Sequence, residues 1–203
     1  MTRSRIPSAS PPAALPPAAA SGRTARTRSR LLAAALDLFT HQGYDRTTVA
    51  EIAAAAGVTE MTFYRHFGSK DQLLLDDPYD PLIAASIGDQ PTGLPALSRA
   101  VRGIRVAWRG LPITEEEQVR ERLAIVAATP GLSAAVRGNT AATEAAIVAE
   151  LVAGGADRDT SAIAAAAVMA ALMTALLQWA AAGDGSLSAA IERALDVLEA
   201  GDA

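Results

Sequence analysis

Thr47-Thr48-Val49-Ala50-Glu51-Ile52-Ala53-Ala54-Ala55-Ala56-Gly57-Val58-Thr59-Glu60-Met61-Thr62-Phe63-Tyr64-Arg65-His66-Phe67-Gly68-Ser69-Lys70 reads as two short helices joined by a tight turn. Thr48 with Glu51 three residues on is a capping box that opens the first of them. Gly57 ends it, because glycine accepts the positive φ a tight turn requires. The second opens at Thr59 and stops near Phe67-Gly68. Val49, Ile52, Ala53, Ala56, Val58, Phe63 and Phe67 make one apolar side. They are expected to pack on Leu32, Leu36 and Phe39 of a preceding helix that starts near Thr24–Arg28 and is stopped by Gly43. The pattern is a helix-turn-helix suited to a DNA major groove.

The opposite side of the second helix presents Glu60, Thr62, Tyr64, Arg65 and His66, with Thr59 and Met61 at its opening. Thr62 can touch a thymine methyl, and Glu60 can accept from a cytosine amine. Tyr64 and His66 can reach bases or phosphates. Thr48 at a helix N-terminus suits a phosphate oxygen, and Lys70, the chain's single lysine, can pair with another. Arg26 and Arg28, with Arg23 and Arg30, form a basic arm that can track the backbone or enter the minor groove. Each has a plainer alternative: a cap for Thr48, a half-buried core aromatic for Tyr64, a surface residue for His66, a solubilising tail for the arginines.

Composition agrees with this reading. Residues 1–70 carry nine basic and four acidic side chains, whereas the rest carry nine and eighteen, so the net charge of -4 conceals a basic end and an acidic remainder. Half of the 203 residues are hydrophobic and almost a quarter are alanine, which favours helix over sheet. The lack of cysteine excludes disulfides and thiol chemistry, and two histidines with no carboxylate spacing around them imply no metal. No nucleophile–base pair or phosphate loop stands out, so no catalytic residue and no cofactor is expected.

Residues 1–22 read as a disordered basic Pro/Ala-rich tail, because five prolines interrupt any apolar run a secretion signal would need. Residues 23–75 form the helix-turn-helix domain (motif about 48–67), and 76–203 a second helical domain. Ser69 with Gln72 caps a fourth helix. Pro78 and Pro81 then break the chain, and a further piece runs 82–88. Helices follow at about 94–109, 114–128, 132–153, 160–182 and 187–199, separated by Leu111-Pro112, Thr129-Pro130-Gly131, Gly154-Gly155 and Gly183-Asp184-Gly185. The fold class is all-α with about nine helices. Between Asp159 and Asp184 no residue is charged. That stretch is long enough to span a bilayer, but its alanines, Thr174, Gln178 and Trp179 favour burial in protein, with no membrane partner and a cytoplasmic location.

Residues from about Arg28 to Leu74 resemble the DNA-binding domain of TetR-family transcriptional regulators. The resemblance rests on Ala35-Leu36-Asp37-Leu38-Phe39, Gly43-Tyr44, Thr47-Thr48-Val49, Ile52-Ala53, Ala56-Gly57-Val58, Thr62-Phe63-Tyr64, His66-Phe67 and Ser69-Lys70-Asp71-Gln72-Leu73. It implies an all-helical homodimer that binds a double-stranded operator through Thr48, Tyr64, His66 and Lys70 on phosphates and Glu60 and Thr62 on bases. Arg122-Leu123-Ala124-Ile125, Thr129-Pro130-Gly131-Leu132 and Leu177-Gln178-Trp179 are similar to the subgroup of mycofactocin-system regulators, which implies a small apolar or acyl-CoA-like effector. The pocket is expected among Arg105, Trp108, Arg122, Ile125, Met169, Met173, Gln178 and Trp179. The dimer interface is expected on the last two helices, at Ile163, Ala170, Leu177, Leu187, Ile191, Ala194 and Leu198, as a four-helix bundle. A helical enzyme, or an adaptor whose helix-turn-helix has lost function, are the alternatives.

Overall fold

Ten α-helices and one 3-10 turn occupy the described residues of the computed structural model, 18–76, 80–110 and 116–200, and no strand occurs among them. The helices are α1 (Ala18–Gln42), α2 (Val49–Ala55), α3 (Glu60–His66), α4 (Lys70–Leu75), α5 (Asp80–Gly88), α6 (Ala96–Gly110), α7 (Glu116–Ala128), α8 (Ser133–Ala153), α9 (Arg158–Ala182) and α10 (Leu187–Ala200), with the 3-10 turn at Pro130–Leu132. The all-α expectation holds. The tail expected over 1–22 lies outside the described residues as far as Pro17, as do Pro78, Leu111, Pro112 and Thr114. Ala18 to Gly22 open α1, which begins earlier than the Thr24–Arg28 start read from the sequence.

Caps set the boundaries of the reading domain. Thr48 accepts from the Glu51 amide while the Glu51 carboxylate accepts from the Thr48 amide at 2.8 Å, a complete capping box. Thr59 accepts from the Thr62 amide at 3.2 Å and Ser69 from the Gln72 amide at 3.1 Å. Gly57 turns the chain at φ 65°, where a side chain would be strained and would also meet the Arg30 guanidinium.

Two apolar cores result. One joins Leu31, Ala35, Leu36 and Phe39 of α1 to Ile52 and Ala53 of α2, Phe63 of α3, Phe67, and Leu73 and Leu74 of α4. It does not end with the reading domain, because Val126 of α7 and Leu132 of the 3-10 turn are buried in it. Leu31 takes the core position expected of Leu32, which lies only partly buried beside it. The second core unites α5, α6, α8, α9 and α10 around Ile87, Val101, Ile104, Ile147, Leu151 and Val168. α5 and α6 touch closely at Gly103, where a Cβ would lie 2.5 Å from the Ile87 Cα, so only glycine fits.

The apolar stretch after Asp159 becomes α9, long and apolar enough to cross a membrane. Yet only 22% of its most apolar window is buried within the chain. Its inner edge (Ala164, Ala165, Val168) enters the core, while Ile163 stays 72% exposed and Ala166 and Ala170 face outward.

Candidate DNA-reading surface and effector cavity

α3 stands proud of the first core on one buried side chain, Phe63, which leaves its other face free. Met61 is 75% and Tyr64 51% exposed, and Thr48, Thr59, Glu60 and Arg65 are exposed with them. Large exposed apolar and aromatic groups on a helix whose neighbours are polar suit a partner surface. Thr59, Glu60, Met61 and Tyr64 are thus outward, and Thr62 is half-buried between them and the core. The Thr62 hydroxyl lies 3.0 Å from that of Thr59 and accepts from Arg65 at 3.5 Å, which orients the Arg65 fork along the helix. The exposed Arg26 projects from α1.

Three side chains expected at this surface are engaged by the protein itself. The Lys70 ammonium donates to the carbonyls of Tyr44 (2.7 Å) and Thr47 (2.8 Å) and sits 4.0 Å from the centre of the Tyr44 ring. It ties α4 to the turn before α2. Arg28 donates to the His66 carbonyl at 2.8 Å, pairs with the Asp76 carboxylate and lies 4.4 Å over the Phe67 ring. It is thus a clamp between α1, the end of α3 and the end of α4, and not a free arm. His66 is partly buried. That burial first, and then the Arg28 and Arg65 charges, hold its pKa below the ordinary imidazole value, so the ring is neutral at pH 7. Thr47 was not singled out by sequence reasoning. It is buried, and its hydroxyl donates to the Gly43 carbonyl at 2.9 Å.

A cavity of about 550 Å³ opens between the reading domain and the second core. Four of the eight expected lining residues reach it: Trp108, Arg122, Met169 and Met173. The other four do not. Arg105 turns to α10 and pairs with Glu192 (2.8 Å), Asp196 (2.8 Å) and Glu199 (2.7 Å), because α6 presents it to an acidic helix face. Ile125 packs on the first core. Gln178 is exposed. Trp179 is buried under the Arg120 guanidinium, and its indole N–H donates to the Gly185 carbonyl at 3.1 Å. Missed from sequence were Arg28 and Phe67, which carry the cavity wall into the reading domain, Asp76 at the junction, and Gln118, Asn139 and Thr143. Asp76 lies 48 residues from Arg28, so no local spacing announced the pair.

The expected dimer stripe divides in two. Leu187 and Ile191 are buried in the second core of the single chain, because α10 packs its stripe on α9 and α6; Ala194 is buried too, and Leu198 is packed against that core. Leu177 packs against the first core. Ile163 and Ala170 remain outward, and Val197 of α10 is 67% exposed.

The geometry defines a helix-turn-helix domain that shares a cavity wall with a second helical core. Residues 31–76 match the family described as bacterial regulatory proteins, tetR family, and residues 95–203 match the MftR C-terminal domain. The chain belongs to the TetR family, a family of transcriptional regulators and not of enzymes. Among its relatives, the HTH-type transcriptional regulator TcmR of Streptomyces glaucescens is 38% identical over 116 residues, 54% of this chain and 51% of that protein. The HTH-type transcriptional repressor KstR2 of Rhodococcus jostii (strain RHA1) is 30% identical over 107 residues, 48% of this chain and 52% of that one. The chain thus spans about half the length of these relatives. SmeT, repressor of the Stenotrophomonas maltophilia multidrug efflux pump SmeDEF, shares the fold with a TM-score of 0.55 over 87% of this chain and 91% of its own, at 22% identity.

Proposed function

We propose that this protein is a cytoplasmic, effector-responsive transcriptional repressor that binds a palindromic operator as a homodimer. The observation that carries it is the shared wall: Arg28 and Phe67 of the reading domain line the sensor cavity, with Asp76 beside them at the start of the sensor unit. A molecule in that cavity therefore touches the residues that hold α3 on α1. Thr48, Thr59, Glu60, Met61, Thr62, Tyr64 and Arg26 form the surface offered to DNA, with His66 at its edge and Lys70 and Arg28 supporting it from behind. The domain division follows the same logic, with a reading unit over 23–75 and a sensor and dimerisation unit over 76–203.

Two copies would pair through the outward face of α9 (Ile163, Ala166 and Ala170) and through Val197 of α10, which supports a four-helix interface. That pairing would cover apolar surface that the single chain leaves in water, and burial of such surface is worth about 25 cal/mol per Å². A dimer sets two α3 helices about one turn of DNA apart, roughly 34–36 Å. An effector that favours a state with another spacing releases the operator in proportion to its differential affinity. A small apolar or acyl-CoA-like molecule suits the cavity's mainly apolar lining, and SmeT, of the same fold, has been solved with triclosan.

Selection of duplexes from a random pool, followed by footprinting, tests the reading. A palindromic site protected on two successive major grooves is expected, and absence of any preferred duplex at low ionic strength would refute it.

A further inference from the structure

α1 begins well before the family match at residue 31, and its first turns carry two faces. Ala25, Arg28, Ser29 and Leu32 recur at helical spacing and line the cavity. Arg23, Arg26 and Arg30 recur at the same spacing, about 140° away around the helix, and are exposed. Neither the Arg23 nor the Arg26 guanidinium is held by another described residue. Residues 1–36 hold six arginines and no Asp or Glu, so no neighbour in sequence neutralises the stripe. Arg30 fixes where the stripe lies, because it donates to the Ala56 carbonyl at the turn between α2 and α3. That turn leads into Thr59 and Glu60, and the N-terminal end of a recognition helix is the one that meets base edges. From there the stripe advances about 10 Å along α1, the rise of about three phosphates on one strand.

We propose that Arg23 and Arg26 form a phosphate-tracking surface beside the reading helix, and that an occupant of the cavity controls this surface from behind. This rests on the effector-responsive reading and names what the effector acts on. Guanidinium groups on phosphates release counterions and read no base, so the stripe contributes affinity without sequence preference. The same turns of one helix carry both faces. A molecule that bears on Ala25 and Ser29 therefore moves Arg23 and Arg26 with them, and the salt-dependent part of DNA binding is the part it weakens. Reciprocity requires that a duplex held on the stripe disfavour that occupant to the same extent.

Duplex affinity of the whole protein, measured against salt concentration on a random and on a selected duplex, tests this. Arg23→Gln and Arg26→Gln should each reduce the slope of log K against log salt by about one on both duplexes. Arg26→Lys should keep the slope, which separates lost charge from lost folding. Tyr64→Ala should instead reduce the preference between the duplexes and leave the slope unchanged. The chain has no cysteine, so Ser29→Cys supplies one thiol at the cavity wall. Alkylation of that thiol with monobromobimane should remove about two units of slope, and the unalkylated variant should lose none. Slopes that survive both glutamine substitutions would overturn the phosphate contact, and a slope that survives alkylation would overturn its control from the cavity. Absence of any preferred duplex, with slopes on random DNA that still fall as stated, would refute the regulator reading and leave the phosphate contact standing.

Discussion

Single side chains at the reading head divide into those that face outward and those that hold the head together, and substitution should separate them. Tyr64 is half exposed and has no anchoring hydrogen bond to lose. Tyr64→Ala should leave denaturant stability within about 0.5 kcal/mol and weaken duplex binding in a gel-shift titration. Lys70 bridges two backbone carbonyls and a ring. Lys70→Ala should lower stability by about 1–3 kcal/mol, since two partly buried acceptors lose a charged donor. A Lys70→Ala protein as stable as the wild type would return the ammonium to a phosphate role. His66 gives a pH signature. Its folded pKa lies below the ordinary value of 6.5, so the unfolded chain binds more protons in that window. Stability should decline as pH falls below 6.5, and His66→Gln should flatten that decline. The outward group was legible in the sequence because exposure on a short amphipathic helix follows from spacing. The inward roles of Lys70 and Arg28 were not, because they depend on chain segments 23 to 48 residues away.

Helix boundaries were the most legible feature at the next scale, because side chains within three residues write them. Thr48 and Ser69 cap as their spacing implied, and Thr59, where the next helix was expected to open, caps it as well. Thr59→Ala should lower stability by about 1 kcal/mol, with a parallel loss of DNA affinity as α3 frays. α9 begins at an equivalent device, Asp157, which accepts from the Thr160 amide at 2.9 Å. Hydrogen bonds from the Thr160 amide and then its hydroxyl hold the Asp157 carboxyl below its usual range. Its contribution is present above the unfolded value and lost as pH falls through the folded one, so Asp157→Ala should shrink the acid limb of the stability profile. Harder to read was which stripe faces where. α10 carries one apolar stripe that could have met a partner or its own core, and contact with α9 and α6 decided for the core. On α9, Ile163 and Ala170 were expected to face a partner and do stay outward, but the alanines between them could not be assigned, because alanine satisfies core and surface patterns alike.

Across the whole molecule, the outward face of α9 makes the sharpest demand. Ile163→Arg should convert a dimer to monomers in sedimentation at micromolar concentration, keep the helical circular dichroism signal, and abolish binding to a palindrome while half-site contact persists weakly. A variant that stays dimeric would move the interface elsewhere. The two halves are joined by packing as well as by the cavity: Val126 and Leu132 of the second half complete the core of the first. The one lysine among 203 residues adds a practical consequence. The chain carries a single side-chain amine, fixed at the base of the helix-turn-helix. The rate at which a mild acylating reagent modifies that amine, read by mass spectrometry, would therefore time how often its grip on the Tyr44 and Thr47 carbonyls opens, with and without a molecule in the cavity.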